Sequence, residues 1–452
     1  MFGTGLGHLI PTIAYLGFWV MCVVSLTGRP LYGLYYVMPF LPYRTMREHF
    51  ADYPLSSQTV TILVVCILIG AFIKGKRPPP SRMYLTWVLF ALYMYLSMWI
   101  GTALGNAPAP LWLSDNNFVL WKDYMVLPLL LVAAGMVIET RQHLRTVLIL
   151  IAVSLFLVDR SALLESLSHS WAVFDENKRT SGPIAYGPNQ LAAFLAQFGM
   201  FFWGCAAVLK RFRVKVILYG LTGLTMVTTL YAFSRAAYIA VLVAVAVLAL
   251  LKDRKLLLVL AVFMVTWKAL VPAAVSERVD MTHNSSGQLE SSAQERVDLW
   301  EQSKDMFVHS PVVGIGFGAF MYSEHTADLK DTHNYYVKVL VEMGLIGFAI
   351  FGVLVFQMVS TGFRVFRKGK GKDPLFEAVG LGFVLAMVTS LVANGFGDRW
   401  TYVEINGLLW VLMGGVLRAD VLLRDPETGK PAWMRNRGSA MVQPPRLTAS
   451  VR

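Results

Sequence analysis

The residues Asp331-Thr332-His333-Asn334-Tyr335-Tyr336 bring together more groups capable of chemistry than any other short stretch of the chain. A neutral imidazole at His333 could accept a proton from a hydroxyl group, because its ordinary pKa lies near working pH. The structural alternative is a histidine at a helix start, bonded to loop backbone. Asn334, Lys338 and Glu342 follow at intervals of four and share one helix face. A polar stripe running into an apolar helix should face the protein interior or a water-filled cavity. Its plain alternative is a Lys338–Glu342 pair that ties two helices together.

Arginines supply the second set of candidates. Arg235, in Ala232-Phe-Ser234-Arg235-Ala-Ala-Tyr238, sits between two apolar runs with only a turn of polar sequence around it. Arginine near hydrocarbon costs up to about 3 kcal/mol on insertion scales. A guanidinium fixed there suits a phosphate partner, which it can hold bidentately; snorkelling to lipid headgroups is the alternative. Ser292-Ala-Gln-Glu295 reads as a capping box, followed by Arg296 and by Val297, Trp300 and Phe307 at helical spacing. Arg296 falls within about 40° of Trp300 around such a helix, so it is expected to point toward the membrane plane. Arg278 and Arg179 are further candidates, the latter opening a turn-rich lead to Asn189 and the next helix. Arg399, flanked by Asp398 and Glu404, is expected to pair with one of them. A lone surface arginine usually does little; several converging on one cavity would form an anion site.

Positioning these groups falls to apolar helices. Of 452 residues, 56% are hydrophobic and 15% charged, with a mean hydropathy of +0.55. A soluble domain is about a quarter charged, so the composition excludes an ordinary soluble protein. Apolar runs recur at about 7–27, 58–73, 83–103, 124–138, 146–160, 189–209, 216–232, 236–251, 256–272, 335–361, 375–393 and 405–418. They predict an all-α polytopic membrane protein with about twelve transmembrane helices. The first run lacks the flanks of a cleavable signal and is expected to be retained. Residues 31–43, interrupted by Pro42, leave two counts open: twelve spans with the N-terminus inside, which we favour, or thirteen with it outside.

Every second connection from residue 74 onward is basic, among them 74–82, 210–215 and 364–373. The positive-inside rule makes these cytoplasmic. The net charge of +12 is therefore an orientation signal and carries no expectation of nucleic-acid binding. The intervening connections face outward, and the longest, 273–333, carries ten acidic and four basic residues. The expected organisation is helices 1–9 over 1–272, a large periplasmic loop over 273–334, three last helices over 335–418, and a disordered cytoplasmic tail over 419–452. The helix after Ser292 is amphipathic and expected to lie on the membrane surface.

Other patterns carry less. Gly314-x-Gly316-x-Gly318 lacks the strand–helix unit of a nucleotide fingerprint, and His325, Asp328, Asp331 and His333 lack zinc spacing. Asn284-Ser-Ser matches a glycosylation sequon. Cys22, Cys66 and Cys205 lie in apolar runs and build neither a disulfide framework nor a metal site.

Taken in order, several motifs resemble the O-antigen ligase/polymerase superfamily. They are Arg179-x-x-Gly182 with Asn189, Ser234-Arg235, Glu295-Arg296-x-x-Leu-Trp300, Ser310-Pro311-x-x-Gly314-x-Gly316-x-Gly318-x-Phe320, Thr332-His333-Asn334-x-Tyr336, and Glu342-x-Gly344-Leu-Ile-Gly347. The strongest part covers about 230–350. The resemblance implies a bacterial inner-membrane enzyme with its active site facing the periplasm. It would carry out metal-independent, inverting glycosyl transfer without a cofactor. The donor it implies is a glycan on undecaprenyl diphosphate. The acceptor is lipid A–core in a ligase, a second lipid-linked glycan in a polymerase, or a protein hydroxyl in an O-glycosylation ligase. It gives His333 the role of activating the acceptor, and Arg235 and Arg296 that of holding the diphosphate. A transporter of lipid-linked sugars is the rival class, but transporters place charged groups near the midplane of repeated halves. Here they gather on one face and no repeat is evident. A scaffold subunit is a third, weaker reading.

Overall fold

In the computed structural model, described residues are 6–50, 53–104, 107–111, 116–168, 174–281, 291–323 and 331–424. The Asn284 sequon, His325, Asp328 and the tail from 425 lie outside them. The described residues form helices and short 3-10 turns without a strand. The helices are α1 (Leu6–Leu26), α2 (Pro30–Val37), α3 (Arg44–Glu48), α4 (Thr59–Ile73), α5 (Met83–Leu104), α6 (Asn116–Val137), α7 (Arg141–Leu167) and α8 (Pro188–Val208). They continue with α9 (Phe212–Tyr231), α10 (Arg235–Leu251), α11 (Lys255–Leu270), α12 (Ala273–Asp280), α13 (Ser291–His309), α14 (Tyr335–Gly369), α15 (Pro374–Asn394) and α16 (Val403–Arg424).

Each predicted apolar run is a helix. Ten helical stretches among the described residues are long and apolar enough to cross a membrane, and α11 joins them only together with α12, across a 105° bend. At 17 residues, α10 falls just short. The chain is an all-α, multi-pass membrane protein. α8, α15 and α16 are its buried centre, whereas α11 buries no residue. Gly204 and Gly382 let α8 and α15 approach closely: a Cβ on Gly204 would lie 2.9 Å from Gly382 Cα.

Packing settles the N-terminal arrangement differently from the favoured expectation. Near its start α1 meets the lead into α4, with Thr12 Oγ1 2.6 Å from the Tyr53 hydroxyl and Tyr15 donating to Pro54 O at 2.9 Å. Near its end, Ser25 lies against Gly70, and Gly28 against Lys74. The two helices therefore run parallel, and the chain must return between them. It does so through the broken segment of α2, a 3-10 turn at Met38–Phe40 and α3. α2 alone is about 12 Å long, too short to span roughly 30 Å of hydrocarbon. Pro30, Pro39 and Pro42 prevent one continuous helix. The start of α1 thus lies at the same end of the bundle as the start of α4.

Ion pairs gather the connections into two sets. At the basic end, Lys76 pairs with Glu139 (2.7 Å), Arg141 with Asp373 (2.7 Å) and Lys252 with Glu377 (3.1 Å). Arg418 donates to Gly135 O at 2.7 Å there. The opposite end collects 174–187, 232–234, 271–281, 331–334 and 395–402, linked by the contacts described below.

α14 is two helices. Gly344 has φ +61° and ψ −167°, which breaks the hydrogen-bond ladder after Met343. The glycine-rich segment from Pro311 fills the break. Ile315 and Gly316 N–H groups donate to Val341 O and Glu342 O (2.9 and 2.8 Å). Leu345 and Ile346 N–H groups donate to Pro311 O and Val312 O (2.9 and 3.2 Å). The segment is wedged against α5, where Phe317 N–H donates to Ser97 Oγ (3.1 Å) and Tyr93 donates to Met343 O (3.0 Å). Irregular backbone at membrane depth survives only when its polar groups are satisfied by protein in this way. The glycine motif is a helix-break filler.

Candidate active site

His333 sits one residue before the N-cap of α14. Asn334 Oδ1 accepts from Tyr336 and Val337 N–H (3.0 and 3.3 Å), closing the first turn. His333 itself adopts φ +53°, the left-handed region that few side chains other than Gly, Asn, Asp and His enter. Thr332 holds that turn, its hydroxyl donating to Asn334 O at 2.9 Å. Trp300 Nε1 donates to Thr332 O at 3.0 Å, so α13 docks directly beside the histidine. The ring is half-buried and makes no hydrogen bond among the described residues. Burial holds its pKa below the ordinary histidine value; Asp331 raises it, Arg296 lowers it, Glu295 raises it and Arg399 lowers it. The neutral, proton-accepting form is therefore favoured at neutral pH.

α13 turns its apolar side inward. Leu299, Met306 and Phe307 pack with Phe320, Ile315, Val337 and Val341. This corrects the expectation of a helix lying on the membrane surface: the glycine-rich segment and the first half of α14 provide its apolar partner. Arg296 is half-buried and faces His333 and Arg399. The helix starts at Ser291, so Ser292 lies inside it.

Lys338 and Glu342 are buried one and two turns below Asn334, but they form no ion pair with each other. Lys338 Nζ lies 2.8 Å from Asp398 Oδ2 and 3.5 Å from Asp331 Oδ2. The ties run to other segments, as a buried charge requires. Arg399 also departs from expectation, because both neighbouring carboxylates are taken: Asp398 by Lys338 and Glu404 by Arg47. The Arg399 guanidinium, on a residue 4% exposed, instead donates to Ala393 O and Phe396 O. Its Nε has no hydrogen-bond partner among the described residues. Burial, with Arg296 adding to it, lowers its pKa to about 10.

A second arginine group lies at the same end. Arg179, 6% exposed at its side chain, donates to Glu176 Oε1 (2.8 Å), Asn189 Oδ1 (2.9 Å) and Phe233 O (3.0 Å). It thereby fixes the turn from which Arg235 starts α10. Asn189 serves as its anchor on α8. Arg278 reaches the same Glu176 at 3.3 Å and covers the Phe174 ring at 4.8 Å. Arg179 and Arg278 thus share one exposed carboxylate. Ala193, Ala240 and Ala393 meet where α8, α10 and α15 pack. That seam lies just below Asn189, Arg235 and the carbonyl that Arg399 caps. The fold therefore brings all nine predicted residues to one end, in two groups: His333, Asn334, Lys338, Glu342 and Arg296, then Arg179, Asn189, Arg235 and Arg278.

Reading the sequence missed Arg399 as a member of the first group. The signal was present in Gly397-Asp398-Arg399-Trp400, an arginine in a short connection between two apolar runs. The adjacent carboxylates made a local pair look sufficient.

No curated protein matches the chain. Residues 218–352 match a family model described as O-antigen ligase. That segment holds Arg235, Arg278, Arg296, the glycine-rich filler, His333, Lys338 and Glu342. The chain is a multi-pass membrane protein whose residues 218–352 are similar to the O-antigen ligase family.

Proposed function

We propose that the chain transfers a glycan from undecaprenyl diphosphate to an acceptor hydroxyl at the periplasmic face of the bacterial inner membrane, as an O-antigen ligase acting on lipid A–core. One observation carries the reading. His333, half-buried and with its neutral form favoured, stands beside Arg296 and Arg399 within the segment that matches the O-antigen ligase family. His333 takes the proton of the acceptor hydroxyl. The oxygen attacks the anomeric carbon from the face opposite the leaving group, so the new glycosidic bond has inverted configuration. The bond from that carbon to the diphosphate oxygen breaks, and undecaprenyl diphosphate leaves with the bonding pair. Arg235, Arg296, Arg179 and Arg278 supply positive charge to the leaving diphosphate, a form of stabilisation that acts where negative charge develops. Lys338 and Glu342 keep the His333 turn fixed to the bundle, and Asn334 and Asn189 hold the local turns. The basic connections, at the other end of the bundle, support the orientation.

The test is the surface glycan profile of a deletion strain complemented with variants. Loss of a ligase leaves long chains on the carrier lipid and none on lipid A–core. Single repeats on the core would assign a polymerase acting on a second lipid-linked glycan, and loss of a glycoprotein would assign the O-glycosylation branch. Normal glycan with His333→Ala overturns the reading.

A further inference from the structure

We propose that Arg399 binds a phosphate group of the lipid-linked substrate, donating through its Nε–H. The inference rests on the function proposed above. Arg399 is 4% exposed and its Nε lacks a partner among the described residues, whereas the remaining guanidinium nitrogens are fixed by Ala393 O and Phe396 O. Among the described residues no carboxylate forms an ion pair with it: Asp398 is drawn to Lys338 and Glu404 to Arg47. Its position is set by contacts on both sides. Asn394 Oδ1 accepts from the Arg399 N–H (2.9 Å), and Asn406 donates to Arg399 O (2.7 Å). The adjacent Asp398 is bound to Lys338, which also reaches Asp331, two residues from His333. A rigid guanidinium without an ion pair among the described residues, electrostatically close to His333 and Arg296, is complementary to an anion that enters with the substrate. A buried N–H donor left without a partner costs stability, and a phosphate oxygen would satisfy it.

The experiment measures equilibrium binding to the full chain in lipid nanodiscs. The probes are undecaprenyl diphosphate, undecaprenyl monophosphate and phosphorylated lipid A–core. Arg399→Gln should weaken binding of one phosphorylated partner by about ten- to a hundredfold, the loss of one charge-assisted hydrogen bond. Arg399→Lys should recover part of it. Gly352→Ala, where an added Cβ meets nothing within 4 Å, should leave that affinity within about twofold. Selective loss of undecaprenyl diphosphate identifies the donor as the source of the phosphate; selective loss of lipid A–core identifies the acceptor. Unchanged binding by Arg399→Gln overturns the proposal. So does an equal loss for all three probes that tracks a fall in Tm, which would make Arg399 only a cap for α15. If the wild-type chain binds undecaprenyl diphosphate and transfers glycan while Arg399→Gln binds normally, the proposed function stands and this inference falls. If the wild-type chain binds no probe, both fall.

Discussion

Lys338 Nζ and Asp398 Oδ2 lie 2.8 Å apart, both buried, and join the start of α14 to the connection before α16. Removing one partner strands the other in low dielectric. Asp398→Asn should therefore cost about 3–5 kcal/mol, leaving Lys338 only Asp331 at 3.5 Å. Combining Lys338→Met with Asp398→Leu should recover most of that loss. Thermal unfolding of the purified protein in detergent compares the two variants with the wild type, and a double variant less stable than the single one contradicts the expectation.

His333→Ala should reduce glycan transfer by about 10²- to 10⁴-fold, the usual worth of a positioned base, with protein level unchanged. Transfer assayed with purified protein and lipid-linked donor gives the number. A variant that retains full rate would assign the base elsewhere.

The pH dependence follows from the charges around the imidazole. Burial, Arg296 and Arg399 depress its pKa, with Asp331 and Glu295 opposing. The base is active when neutral, so transfer should be flat at pH 7 and fall only as pH drops below the ordinary histidine value of about 6.5. Arg296→Gln removes a positive neighbour and should move this acidic limb to higher pH. A limb that moves to lower pH, or stays fixed, would show that the titrating group is not His333.

Two glycines in α14 should respond in opposite ways. A Cβ on Gly344, at φ +61°, would come 2.6 Å from Val313 N, whereas one on Gly352 would meet nothing within 4 Å. Gly344→Ala should abolish recovery of monodisperse protein. Gly352→Ala should be neutral or stabilise by up to about 1 kcal/mol, the helix propensity gained. Size-exclusion profiles and melting curves separate the two.

The membrane helices and the gathering of basic connections were legible in the sequence because both depend on composition. The return from α1 to α4 was not, because α2 is eight residues long and interrupted by prolines, below the length at which hydropathy signals a crossing. Motif order brought out His333, Arg235 and Arg296, yet the partners of Lys338 and Arg399 stayed hidden. Sequence neighbours suggested Glu342 for one and Asp398 or Glu404 for the other, while tertiary structure gave those carboxylates different roles. The amphipathic pattern of α13 showed that a face is buried; it could not say whether lipid or protein covers it.

An unbroken α14 of 35 residues would be a rod about 52 Å long, and any tilt of it would swing His333 sideways. The break at Gly344 divides that rod. The lower piece is tied to the glycine-rich segment, its Leu345 and Ile346 N–H groups donating to Pro311 O and Val312 O. The upper piece is pinned by Ile315, Gly316 and the Lys338–Asp398 pair to its neighbours. The joint therefore acts as a splint: one segment bonded to both pieces sets the angle at which the His333 end meets the rest of the helix.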